Sequence, residues 1–347
     1  MAVKEIISRT LGASFLQLLL ATILSVSTFA QDKKPTPPAE PDVDVLRVDT
    51  TLVTVPVSVM DHNGRFIPDL KQDHFHMFED GVEQQIAFFE NAEQPFTVAL
   101  ILDVSDSTVA QLAQIKNAAA AFISELRADD RVMVVTFDKR ITILCEPTSD
   151  RQLLGTAINR AQSGGGTSLY GAVDLVVRER FKRIRGRKAI VLFTDGVDTT
   201  SQNATYESTL HTAEELDALI YTIRYNTYAD VAGAEKTSVM DPVQGTTQMG
   251  TPRGESLTVA YKRGENYLKL LSDKTAGRSY DAASLDRLKE IFAKIAAELR
   301  QQYSLGFYPS NKSSTKRVRQ LKVKVTEPNV VVRSRKTYLY SAPQPQP

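Results

Sequence analysis

Between residues 96 and 302, short and almost wholly apolar runs alternate with stretches whose apolar residues recur every three or four positions. Val98–Val104, Val132–Phe137 and Ala189–Thr194 are the clearest runs, and Leu219–Arg224 is a fourth. A strand with no polar face has to be covered on both sides, as in a parallel sheet flanked by helices. The segments between supply those helices: Gln111–Leu126, Leu153–Ala161, Leu169–Arg185 and Tyr206–Ala218. Asn266–Thr275 and Leu285–Gln302 close the set, with a short strand at Ser279 and Tyr280 between them and an edge strand at Ile141–Cys145. This order predicts an α/β domain with a doubly wound, mostly parallel sheet.

The flanks follow a different period. From Val43 to about Gln94, Val53, Val55, Val57 and Val59 alternate with Thr54, Pro56, Ser58 and Met60, the pattern of a half-buried strand. Pro56 cannot donate to a ladder and belongs at an edge or a non-bonded side. Asn63-Gly64 and Asp80-Gly81 are type I′ hairpin signals. Three or four short strands are too few for an independent domain. Further alternating segments follow the last helix, at Tyr303–Tyr308, Arg317–Thr326, Val330–Arg333 and Lys336–Tyr340. The expectation is a small antiparallel β-sandwich shared by residues 43–95 and 303–340, with domain 96–302 inserted between them. Residues 225–259, rich in Gly, Thr, Ser and Pro and without a usable period, are expected to be a flexible insertion.

The amino terminus has the layout of an export signal: Lys4 and Arg9, an apolar segment from Leu11 to Phe29, and small residues around Ala30. Cleavage after Ala30 is the expectation. An uncleaved anchor is the alternative, since about 20 residues span a bilayer. Residues 31–42 read as a proline-rich linker and 341–347 as a tail. Cys145 is the single cysteine, so no intramolecular disulfide can form and its strand context makes it a small buried hydrophobe. With a net charge of +1 the chain lacks the basic footprint of a nucleic-acid binder. His62, His74, His76 and His211 are too scattered for a zinc site.

Five oxygen-bearing side chains lie in loops that directly follow an apolar run or a glycine cluster. They are Asp103, Ser105 and Ser107 in Leu-Asp-Val-Ser-Asp-Ser, Thr167 in Gly-Gly-Gly-Thr-Ser, and Asp195 in Leu-Phe-Thr-Asp-Gly. In a doubly wound sheet, ligands bind beyond the carboxyl ends of the strands, where such loops converge. Two carboxylates and three hydroxyls, without sulfur or imidazole, suit a hard cation: Mg²⁺, with Mn²⁺ or Ca²⁺ as alternatives. The competing role for Asp103, Ser105 and Ser107 is capping of the following helix. Asp106, Asp138 and Asp198 read as loop residues, the last two close enough for a supporting role, and the basic run Arg178–Lys188 as the exposed end of a helix and its turn.

The five positions resemble the metal-ion-dependent adhesion site of von Willebrand factor A domains, over about residues 96–302. The resemblance implies that Ser105, Ser107 and Thr167 coordinate a cation directly or through water. It also implies that Asp103 and Asp195 supply carboxylates, often through bridging water, and that a partner protein's Asp or Glu completes the shell. Three further segments are similar to the acidobacterial family of von Willebrand factor A-related secreted proteins: Val-Asp-Thr-Thr-Leu-Val-Thr-Val-Pro-Val-Ser-Val, Phe-Glu-Asp-Gly-Val-Glu-Gln-Gln-Ile and Leu-Ser-Asp-Lys-Thr-Ala-Gly-Arg-Ser-Tyr. Tyr-Ser-Leu-Gly-Phe-Tyr-Pro fits the same pattern. The expectation is a non-enzymatic, exported, metal-dependent protein-binding module. A structural metal that locks loops is the first alternative. A metal-assisted hydrolase is the second, weakened because no nucleophile–base pair or P-loop lysine accompanies the site.

Overall fold

The computed structural model describes residues 52–91, 94–228, 231, 254–282, 286–311 and 317–340. The expected export signal, linker and tail lie outside the described residues, as do residues 232–253 of the expected insertion. The chain enters through β1 (Val53–Asp61), β2 (Phe75–Glu79), β3 (Val82–Gln84) and β4 (Ile86–Glu90). The central part runs β5 (Phe96–Asp103), α1 (Leu112–Glu125), β6 (Arg131–Phe137), β7 (Ile141–Thr148), α2 (Arg151–Asn159) and α3 (Leu169–Asp174). It continues with β8 (Arg187–Thr194), α4 (Tyr206–Glu215), β9 (Leu219–Tyr225), α5 (Leu257–Lys274), β10 (Ser279–Ala282) and α6 (Asp286–Arg300). The chain leaves through β11 (Tyr303–Phe307), β12 (Val318–Val325), β13 (Val330–Ser334) and β14 (Thr337–Leu339).

The central strands form one sheet in the order β10-β9-β8-β5-β6-β7. Every pair is parallel except β6 and the edge strand β7. Every residue of β5 is buried, because helices cover both faces. On one face α1 and α6 meet through Phe122 and Phe292, whose ring centroids are 5.2 Å apart. On the other, α3 and α5 meet through Tyr170 and Tyr267, 4.9 Å apart. The doubly wound α/β architecture read from the apolar runs is the one observed. Cys145 is buried on β7, and burial pushes its thiol up.

The flanking strands build two four-stranded antiparallel sheets, β13-β1-β11-β4 and β14-β12-β2-β3, each mixing strands from both ends of the chain. Val55, Val57 and Val59 of β1 share one core with Tyr303 and Phe307 of β11, Phe75 and Met77 of β2, and Leu321 of β12. The sandwich is thus shared, as expected. Two local expectations are corrected. β1 is not half-buried: Ser58 and Met60 on its other face are also covered. That face turns toward the central domain, where Thr54 donates to Asp217 and Arg278 reaches Met60. The Asn63-Gly64 turn is not type I′, because only Gly64 has positive φ; the Asp61 carboxylate accepts from Asn63 and Arg65 N–H instead. At Asp80-Gly81 both φ values are positive, as type I′ requires. Pro56 sits opposite Ser304 of β11 and one residue before pairing with β13 begins at Val57, at the edge of that second ladder.

Two further expectations change. Helix α5 begins at Leu257, nine residues before the sequence reading placed it, inside the expected insertion. Arg187 is not part of an exposed basic cover. Its guanidinium is buried, donating to Gln94 O at 2.6 Å and Leu299 O at 2.5 Å.

Candidate metal centre

Adjacent parallel strands deliver their following loops to one edge of a sheet. β5 and β8 are such neighbours, with Leu102 opposite Phe193. Asp103 therefore ends its strand beside Thr194, whose hydroxyl donates to Asp103 Oδ2 at 2.6 Å, and Asp195 follows immediately. The glycine loop joins them from the α2–α3 connection. Gly164 N donates to Val104 O at 3.0 Å and pairs with Ser105 as an isolated parallel bridge. A Cβ at position 164 would meet Asp138 Oδ2 at 1.9 Å, so any side chain there has to displace that carboxylate. The positive φ of Gly166 then turns the chain into Thr167, whose N–H donates to Thr199 Oγ1 at 2.8 Å. Thr167 O in turn accepts from Thr199 N and Thr200 N. Thr167 is thereby fixed between the β5 and β8 loops.

The hydroxyls of Ser105 and Ser107 do not cap the helical turn that follows them. Ser105 Oγ donates to Asp103 Oδ1 at 2.6 Å, and Ser107 Oγ donates to Asp195 Oδ2 at 3.0 Å. The two Oγ atoms also lie 3.2 Å apart, so both hydroxyls and both carboxylates converge on one point. A helix cap does not require that convergence; a cation site does.

Two members of the cluster escaped the sequence reading. Thr227, wholly buried just beyond β9, donates to Asp195 Oδ2 at 2.7 Å and lies 2.8 Å from Tyr261 Oη on α5. Tyr261 itself approaches Asp195 Oδ2 at 3.5 Å. Burial and the nearby carboxylates hold the Tyr261 phenol protonated, so it can donate to Thr227 while Thr227 donates to Asp195. Thr227 lies two residues beyond an apolar strand, a cue like the one that marked the other loops, and Leu257, Ala260, Tyr261 and Gly264 have helical spacing. Helix α5 can come this close because Gly264 meets Gly196 backbone to backbone; a Cβ on Gly264 would lie 2.5 Å from Gly196 O.

Asp103 and Asp195 are buried. Burial first, and the neighbouring Asp195 charge second, push the Asp103 carboxyl up to about 7. Burial likewise raises Asp195, against the pull of its hydrogen bonds to Val197, Thr227, Ser107 and Tyr261. Among the described residues, every group bonded to these two carboxylates is a hydroxyl or a backbone N–H. Two desolvated carboxylates without a basic partner repel each other, and a divalent cation offsets that repulsion. The oxygen-only donor set therefore fits a hard cation. No group of three or more His, Cys, Asp or Glu side chains forms a metal cluster among the described residues, so any such site relies on hydroxyls.

The remaining acidic loop residues take separate roles. Asp106 is exposed and lies against Gly165. Asp138 is buried, accepting Arg140 N–H at 2.5 Å beside Gly164, and Asp198 accepts from Tyr170 N at 3.1 Å. The last two brace the glycine loop and the start of α3.

Residues 98–197, within the central α/β domain, match the von Willebrand factor type A domain family. An uncharacterized protein of Synechocystis sp. is 33% identical over 132 residues, covering 34% of this chain and 31% of that protein. A UPF0353 protein of Mycobacterium sp. is 25% identical over 221 residues, covering 58% of this chain and 60% of its own length. The chain thus spans less than two thirds of either relative. Among solved structures, proximal thread matrix protein 1 from the mussel byssus is described with a zinc-occupied metal-ion-dependent adhesion site. It is 16% identical with a TM-score of 0.43, covering 64% of this chain and 49% of that one.

Proposed function

We propose that this chain is an exported, non-enzymatic binding module that uses a divalent cation, Mg²⁺ or its analogues Mn²⁺ and Ca²⁺, to capture an acidic side chain of a partner protein. The observation that carries the reading is the convergence of the Ser105 and Ser107 hydroxyls on each other and on the buried carboxylates of Asp103 and Asp195, with no basic side chain bonded to either carboxylate among the described residues. Ser105, Ser107 and Thr167 would hold the ion, with Asp103 and Asp195 behind them. When bound, the cation supplies a Lewis-acidic position for a partner's carboxylate oxygen. Asp103 orients Ser105, while Thr194 fixes Asp103 and the Thr227–Tyr261 pair fixes Asp195. Exclusion of water by burial strengthens each of these contacts.

The test is direct metal titration of the full chain by calorimetry, followed by capture of extracytoplasmic proteins with and without EDTA. Binding of Mg²⁺ or Mn²⁺ that is lost in Asp103→Ala and Thr167→Ala, in variants that still melt cooperatively, supports the reading. A wild-type chain that binds neither ion at millimolar concentration sinks it. The ties from Thr227 and Tyr261 to Asp195 also favour a second reading, in which the ion only locks α5 to the sheet. Strong stabilisation by Mg²⁺ without any metal-dependent partner would select it.

A further inference from the structure

The rim beside the candidate cation position carries two basic side chains that the metal-capture reading leaves unused. Lys139 and Arg140 form the tip between β6 and β7, and both are exposed. They are held against the glycine loop. Lys139 N donates to Gly165 O at 3.1 Å, Ser168 Oγ donates to Lys139 O at 3.4 Å, and a Cβ on Gly166 would lie 3.2 Å from Lys139 Cβ. Lys139 is therefore packed one residue away from Thr167. The Arg140 side chain contacts Asp138 at 3.8 Å and is 77% exposed. On the Asp195 side of the cluster the surface is different: Tyr228, next to Thr227, is exposed and stands edge-on to Tyr261 at 5.4 Å. Val109, two residues after Ser107, is likewise an exposed apolar side chain.

Resting on the metal-capture reading, we infer that Lys139 and Arg140 select a partner segment bearing a second acidic residue beside the one captured at the Ser105–Ser107–Thr167 cluster. The charge pattern carries the argument. A cation bound between Asp103 and Asp195 would leave the pocket to attract one carboxylate, and the β6–β7 tip adds two positive charges on the Thr167 side. Asp106 is exposed against Gly165, so the basic tip is what offsets the rim's own negative charge for an incoming acidic chain. Tyr228 and Val109 offer apolar contact on the remaining flanks. Complementary charge of this kind sets which partner docks and in which register.

The experiment uses the full chain loaded with Mn²⁺ and follows water-proton relaxation, which reports displacement of metal-bound water. The probes are acetate and two blocked glycine-rich peptides, one with a single aspartate and one with two aspartates three residues apart. At low ionic strength the two-aspartate peptide is expected to bind about fivefold tighter than the single-aspartate peptide. That ratio should fall toward one in 0.5 M salt (roughly a 4 Å screening length) and in Lys139→Ala/Arg140→Ala. Equal binding of the two peptides by the wild-type chain, while acetate still displaces water, overturns this inference and leaves metal capture standing. Mn²⁺ binding with no response to acetate or either peptide, or no Mn²⁺ binding at all, overturns the capture reading and this inference with it.

Discussion

At the scale of single residues, the site is defined by where protons go. Asp103 is held near a pKa of about 7 in the metal-free protein, far above its ordinary 3.8. A carboxyl raised in the folded state favours folding most below its unfolded value, and that contribution is lost as pH rises through the folded value. Metal-free protein in EDTA should therefore lose stability between about pH 4 and pH 7, and saturating Mg²⁺ should remove most of the loss. Urea denaturation at several pH values checks this. Asp103→Asn, which cannot ionise, should flatten the profile without metal; a flat wild-type profile in EDTA would argue that the carboxylate pair is not strained. Asp103, Ser105, Ser107 and Asp195, whose side chains come into contact, were legible because each follows an apolar run, which locates the carboxyl edge of a sheet; Thr167, after the glycine cluster, joins the β8 loop through its backbone. Thr227 and Tyr261 were not, because they bracket a stretch whose composition hides the end of β9 and the start of α5.

At the scale of elements, close approach decides what the sequence must contain. Gly264 on α5 touches Gly196 backbone to backbone, so Gly264→Ala forces the helix away from the β8 loop. Overpacking of this kind costs about 1–3 kcal/mol, and it should also weaken Mn²⁺ binding by withdrawing Tyr261, one turn away on the same helix. Calorimetry and urea melts on the one variant read both effects; unchanged metal affinity would separate α5 from the site. In the sandwich, Glu79 accepts from Arg319 at 2.8 Å and from Tyr338, with both charged groups buried. Glu79→Ala leaves the buried guanidinium with Asn311 O and the Tyr340 ring but without its carboxylate, and should cost about 3 kcal/mol, more than Asp174→Ala at the exposed Arg178 pair. Alternation revealed the strands on which these groups sit, yet it misjudged β1. Period two assumes that one face meets water, whereas the outer face of β1 meets the central domain.

For the whole molecule, the decisive relation is that both ends of the chain build the same two sheets. β1 pairs with β11 and β13, and β2 with β12. Residues 43–95 expressed alone should therefore show no cooperative transition by circular dichroism, and a sharp melt would contradict the shared-sheet architecture. Inserting a domain between paired strands requires its entry and exit to lie together, and Arg187 meets that requirement chemically. Its buried guanidinium donates to Gln94 O before β5 and to Leu299 O at the end of α6, and it lies over Phe96 at 5.9 Å. Burial lowers its pKa to about 10, still leaving it charged at neutral pH. Its position within a basic run pointed to solvent, because charge spacing along a sequence cannot show that two distant carbonyls converge on one of its members. Arg187→Met keeps much of the volume but leaves both carbonyls without this donor. Of the two, Leu299 O is the buried one and Gln94 is exposed; a buried unsatisfied acceptor costs about 1–3 kcal/mol, and a loss in that range is expected. If Arg187 couples the sandwich to the central domain, the variant should also unfold in two steps, with a lower apparent denaturant slope than the wild type. A single transition with an unchanged slope would instead make Arg187 a local brace and leave the β1–β11 and β1–β13 pairing to hold the two parts together.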